Sequence, residues 1–163
     1  MAISYGIIHD MITAHLCVEY FTIGHPRIIK SESPILLALT WGFIATWWVA
    51  LPMGLLIAGF NQFGKKPSLE YAEVLHLILK LILIMFGIAL LSGIVGYVLT
   101  ELNIIKLIPR LAEQMDSTKH SKFLSAGWAH AASYLSGVIG TMIICRIIFK
   151  KRRGKTTNKQ IPR

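Results

Sequence analysis

The sequence predicts an all-α fold: an integral membrane four-helix bundle with an additional amphipathic helix on its outer surface. Three observations carry this expectation. Residues 33–64, 81–100 and 123–145 contain no Asp, Glu, Lys or Arg, and each stretch reaches the roughly 20 apolar residues that a hydrocarbon core requires. Over half of the 163 residues are hydrophobic, 54%, with a mean hydropathy of +0.58, which is too apolar for an ordinary soluble domain. Seven of the seventeen basic residues fall in the last fourteen positions, directly after an apolar stretch, as on the cytoplasmic side of a membrane protein.

The first span is expected over about 3–23. It has neither a basic region before its apolar run nor a small-residue cleavage pattern after it, so it reads as part of the mature chain rather than as a secretory signal. The second span, about 34–60, opens with Ser33-Pro34, an N-cap residue followed by Pro in the first turn. Pro52 is expected to kink it. The third span covers about 69–99. In the following link, Leu102, Ile105, Ile108, Leu111 and Met115 recur at helical spacing, which predicts a surface helix over about 101–115, interrupted or kinked at Pro109. The same stripe would equally serve to cap the bundle. The fourth span covers about 127–149, and residues 150–163 form a basic cytoplasmic tail with a disordered end.

Small residues recur every four positions at Ala129, Ser133, Gly137, Thr141 and Cys145, at Ser92 and Gly96, and at Gly42 and Thr46. Such spacing lets helix backbones approach closely in lipid, where van der Waals contact replaces the hydrophobic drive. Trp41 and Trp128 are expected as interface anchors. Trp47 and Trp48, at mid-span, are expected to pack on small residues or face lipid.

A net charge of +9 invites a nucleic-acid reading, which the placement of the charge excludes. A cluster just beyond an apolar helix sets topology and attracts anionic lipid. Alternation of four spans then puts both termini on the cytoplasmic side.

Ionisable groups within spans are costly, about 2.5–3.5 kcal/mol each at the centre, and mark functional sites by default. Counted along parallel helices, His9 and Asp10 come level with Glu73 and His76, an inner candidate metal set. Lys80, one turn beyond His76, is available for an ion pair with Glu73, Asp10 or Glu19. Glu19, His25 and His130 form an outer candidate set, with His15 and Tyr134 as supporting groups. Imidazole with carboxylate suits Zn, Fe or Mn. Haem would need two axial ligands facing one cavity. The competing reading is that these groups only cross-link helices by hydrogen bonds, worth about 0.6–2 kcal/mol each.

The blocks "HDMITAHLCVEYFTIGHP" and "WGFIATWWVALPMGLLIA" resemble those of small multi-pass membrane proteins of bacteria to which no activity is assigned, over about the first sixty residues. His9, Asp10, Glu19, Tyr20, His25 and Pro26 are the matched positions. The resemblance implies a multi-pass fold in the bacterial inner membrane, and no reaction, cofactor or substrate. No nucleophile elbow, phosphate loop, zincin motif or dinucleotide fingerprint occurs, so the sequence supports no enzymatic activity. A protein binding a transition metal or haem in the membrane is the leading expectation. A proton or ion pathway (or small transporter) and a non-catalytic accessory subunit are the alternatives, with a homo-oligomer or a membrane partner subunit as possible assemblies.

Overall fold

The computed structural model describes residues 1–158, with side-chain surroundings through Lys155. The described residues are 79% helical and include no strand. Six α-helices follow one another: α1 (Ala2–Leu16), α2 (Glu19–Thr22), α3 (Pro34–Gln62), α4 (Tyr71–Glu101), α5 (Pro109–Ala112) and α6 (His120–Asn158), the last entered through a 3-10 turn, Ser117–Lys119. Three of them, α3, α4 and α6, are long and apolar enough to cross a membrane.

The expected first span is divided. Cys17 adopts an extended conformation, φ −156° and ψ 95°, between α1 and the single turn of α2. The 15 residues of α1 extend about 22 Å at 1.5 Å per residue, short of the roughly 30 Å of a hydrocarbon core. By contrast, α3 begins at Pro34 with Ser33 as its N-cap residue, as the sequence predicts. Just past its end Gly64 takes φ +96°, a left-handed conformation that would strain any residue with a Cβ. Glu70 and Glu73 start α4 with a reciprocal capping box, each side chain accepting the other's backbone N–H and so filling two otherwise orphaned donors.

The surface helix expected over 101–115 does not form. Asn103, at φ 57°, ends α4 in a left-handed turn, and only Pro109–Ala112 is helical. Pro109 lacks the N–H that a helix interior uses, and it instead occupies the first turn of a new short helix. The first part of the basic tail is helical: α6 continues through Asn158. It is held there by Arg152, buried at 5% exposure, whose guanidinium donates to the carbonyls of Phe60, Phe63, Lys66 and Pro67. These include carbonyls that the end of α3 leaves without helical partners. The remaining tail positions, 159–163, lie outside the described residues.

The long elements associate as two antiparallel pairs, α1 with α3 and α4 with α6. A Cβ on Gly42 would lie 2.6 Å from the Ile7 Cα, and one on Gly6 would lie 2.7 Å from the Gly42 carbonyl oxygen. The two backbones therefore touch, as the small-residue spacing anticipates. In the second pair Gly93 meets Ser125 and Ala129, Gly96 meets Trp128, and Gly140 meets Leu81. One apolar core gathers Ala14, Phe21, Leu37, Ala38 and Trp41. The other gathers Ile57, Leu69, Ile144, Cys145 and Ile148. Trp41 thus sits in the core, not at an interface, while Trp47 and Trp48 face outward at 47% and 58% exposure. Large apolar side chains cover the outside of α3 and α4, whereas His9, Asp10, Thr13, Ser125 and Ser133 are buried. That inversion suits a chain solvated by lipid, in which polar groups turn toward the bundle.

Candidate metal centre

Where α1 meets α6, polar side chains face one another. Tyr5 on α1 shares a hydrogen bond of 2.7 Å with the Ser133 hydroxyl on α6. One turn on along α1 and one turn back along α6, His9 Nε2 lies 3.3 Å from His130 Nδ1, and His130 Nε2 lies 3.0 Å from Asp10 Oδ1. Beside these, the Tyr134 hydroxyl donates to the Ala45 carbonyl of α3 at 3.4 Å. Helical spacing of three or four residues explains the grouping, since Tyr5 and His9 share a face of α1, and His130, Ser133 and Tyr134 lie close on α6.

The proton inventory of His130 is informative. Its Nδ1 donates to the Ala126 carbonyl at 2.9 Å, and its Nε2 faces the Asp10 carboxylate. A carbonyl and a carboxylate only accept. Filling both contacts takes an imidazolium, a protonated Asp10, or a cation in place of the proton shared between Nε2 and Oδ1. A Nδ1–H fixed on a backbone carbonyl is also the arrangement that orients a metal-binding histidine.

His9, Asp10 and His130 each offer a ligand atom, and these atoms lie within 4.8 Å of one another. Around a tetrahedral ion with bonds of about 2.0–2.1 Å, neighbouring donors stand roughly 3.3 Å apart. The separation of 3.0 Å between His130 Nε2 and Asp10 Oδ1 is near that edge, while His9 Nε2 approaches the other His130 nitrogen, Nδ1, at 3.3 Å and lies within the 4.8 Å that bounds the set. Two imidazoles and one carboxylate make a donor set suited to Zn, Fe or Mn. A cavity of about 300 Å³ borders all three side chains together with Tyr5, Ser133 and Tyr134. A second, about 290 Å³, reaches His9 between α1 and the α4–α6 pair.

Sequence reasoning assigned these residues to two different sets, and the structure regroups them. His9 and Asp10, expected with Glu73 and His76, instead join His130, expected with Glu19 and His25. The reason is the depth of α1. Its first residues line a cavity with Ala50 and Met53, at the middle of α3, so His9 comes level with the first half of α6 rather than with the start of α4. Glu73 pairs with Lys155 at 2.8 Å and Lys151 at 3.8 Å. His76 and Lys80 are exposed, and the expected Lys80 ion pair gives way to those lysines of α6. Glu19 pairs with Lys119 at 3.5 Å and accepts from the Cys17 thiol. His25 bonds the Tyr20 carbonyl through Nδ1 at 2.8 Å and packs on Trp41. His15 is exposed and contacts the Met11 carbonyl.

Tyr5, Tyr20 and Ser133 are the site residues that the sequence reading did not single out for chemistry. The signal for Tyr5 was its position one turn before His9, and for Ser133 its position three after His130. Ring contacts run from Tyr5 to His9 (5.8 Å between centroids), His130 (4.4 Å), Tyr20 (4.7 Å) and His25 (4.9 Å). Tyr20 lies in the short α2, whose placement depends on the break at Cys17. No protein family matches this chain, and comparison with curated proteins and with solved structures yields no match either.

Proposed function

We propose that this chain is a polytopic membrane protein that binds a divalent transition metal, Zn, Fe or Mn, between α1 and α6 through His9, Asp10 and His130. The carrying observation is the convergence of those three ionisable side chains from two helices to ligand spacing within the apolar bundle. Interhelical hydrogen bonding alone is served by Tyr5 with Ser133. Adding a carboxylate and two imidazoles beside it imposes a burial cost that a bound cation would offset. Three protein donors would leave a coordination position for water or another small ligand. Haem fits less well, because it takes axial ligands from opposite faces of one cavity, whereas Asp10 faces the free nitrogen of His130 directly at 3.0 Å.

The basic end of α6 and the α3–α4 link would face the cytoplasm in this reading, in a bacterial inner membrane, as their Lys and Arg content favours. The start of α1, level with the middle of α3, stays outside that assignment. The fourth transmembrane element of a four-helix bundle would be α1 with α2, entering from the same face as the His25 loop. A proton or ion pathway is the second reading, favoured by the ring contacts from Tyr5 to His25.

Metal content of the full chain purified in detergent, after exposure to Zn, Mn or Fe(II), tests the proposal. Wild type is expected to hold about one ion per chain. His9→Ala, Asp10→Ala and His130→Ala are expected to hold far less, while Glu19→Ala and His76→Ala match wild type. A wild type that retains no metal overturns the reading and leaves interhelical hydrogen bonding as the account of the cluster.

A further inference from the structure

At the end of the molecule where α3 finishes and α6 becomes basic, a groove of about 510 Å³ runs between these two helices and the α3–α4 link. Its walls are apolar: Leu55, Leu56 and Phe60 from α3, and Phe149 from α6, are 64%, 37%, 42% and 48% exposed. Its rim is basic. Lys65 and Lys66 line it, the Lys66 ammonium stands 5.0 Å over the Phe149 ring, and the Arg153 guanidinium lies 5.9 Å from the same ring.

The charge at this end is unbalanced. Residues 61–73 and 146–155 hold eight Lys or Arg against Glu70 and Glu73. Both carboxylates are engaged, Glu70 in the capping box and Glu73 with Lys151 and Lys155. Among the described residues neither Lys65 nor Lys66 has a carboxylate within ion-pair distance. The rim is also held in place, since Arg152 donates to the carbonyls of Phe60, Phe63, Lys66 and Pro67. A fixed rim loses less freedom when it binds.

We infer that this groove is a binding site for one anionic glycerophospholipid, with its phosphodiester at Lys65 and Lys66 and an acyl chain along Leu55, Leu56, Phe60 and Phe149. The occupant follows from the combination of surfaces. An acyl chain matches walls continuous with the exposed apolar face of α3, and a net negative headgroup matches Lys65 and Lys66, which have no carboxylate within ion-pair distance among the described residues. A free phosphate would use the rim and leave the walls bare. The inference is independent of the metal centre, which lies in the other half of the bundle.

Native mass spectrometry of the full chain, titrated with phosphatidylglycerol or phosphatidylcholine, tests it. Phosphatidylglycerol is expected to bind at least about tenfold more tightly. At the usual contribution of each basic residue near an anionic surface, the double variant Lys65→Ala/Lys66→Ala is expected to weaken it about 30-fold. Lys106→Ala/Arg110→Ala, in the link at the opposite end, is expected to leave binding unchanged. Gly59→Leu supplies a test without charge change: a Cβ there makes only ordinary contact, 3.5 Å from the Phe63 ring, and the added side chain fills the groove and is expected to expel the lipid. Equal binding of both lipids, equal loss in the two double variants, or displacement by inorganic phosphate would each overturn the inference.

Discussion

Gly42→Ala is the substitution through which packing and site are most directly linked. The added Cβ would lie 2.6 Å from the Ile7 Cα, 2.7 Å from the Ile7 nitrogen and 2.9 Å from the Gly6 carbonyl carbon. These are backbone atoms, so no rotamer change relieves the overlap. Ordinary contact begins near 3.4 Å, and α1 must therefore retreat by about 0.8 Å, with overpacking of this kind costing about 1–3 kcal/mol. His9 is three residues from Gly6 on the same rigid helix and moves with it. A displacement of that size is enough to break the 3.3 Å contact between His9 and His130, since hydrogen bonds tolerate only a few tenths of an ångström. For a chain of this size the apparent melting temperature is expected to fall by about 2–12 °C, accompanied by weakened metal retention. The assay is thermal unfolding in detergent followed by tryptophan fluorescence, with metal content measured on the same samples. Gly54→Ala is the control, since a Cβ there meets nothing within 4 Å in the same helix. Equal melting temperatures and metal content for the two variants would refute the docking of α1 against Gly42.

Arg152→Leu removes the donors that four carbonyls share and is expected to destabilise the protein by about 2–4 kcal/mol. Arg152→Lys should restore only part of this, because an ammonium cannot reproduce the planar fork; unchanged denaturation midpoints for both variants would count against the clasp. At Asp116, hydrogen bonds from the Thr118 hydroxyl and amide, with smaller contributions from His120 and Lys119, hold the carboxyl below its ordinary range. A group whose folded value is depressed stabilises the fold above its unfolded value and loses that contribution as pH falls through the folded one. The entry to α6 is therefore expected to loosen only below about pH 4. An NMR titration of Asp116 with its midpoint at or above the ordinary 3.8 would contradict this.

What the sequence determined by itself was local or periodic. Charge-free stretches marked α3, α4 and most of α6, because lipid-crossing length is a property of one segment at a time. Ser33 and Pro34 located the start of α3 for the same reason. The recurrence of Gly42, Gly96 and Ser133 identified backbone approach, although not the partner helix. His9, Asp10 and His130 stood out because an ionisable residue within an apolar run is conspicuous wherever it lies.

Tertiary structure decided the rest. Assigning helix depth from the sequence required every span to start at a membrane surface, and α1 starts beside the middle of α3. That single shift detaches His9 and Asp10 from Glu73 and His76 and brings them to His130. The break at Cys17 and the unwound segment before Pro109 interrupt runs whose apolar spacing reads as continuous helix, and the helical continuation through Arg152 is settled by partners distant in sequence. In the last case it is the carbonyls of Phe60, Phe63, Lys66 and Pro67 that keep the chain in a helix, and a run of basic residues carries no mark of such acceptors until the fold brings them together.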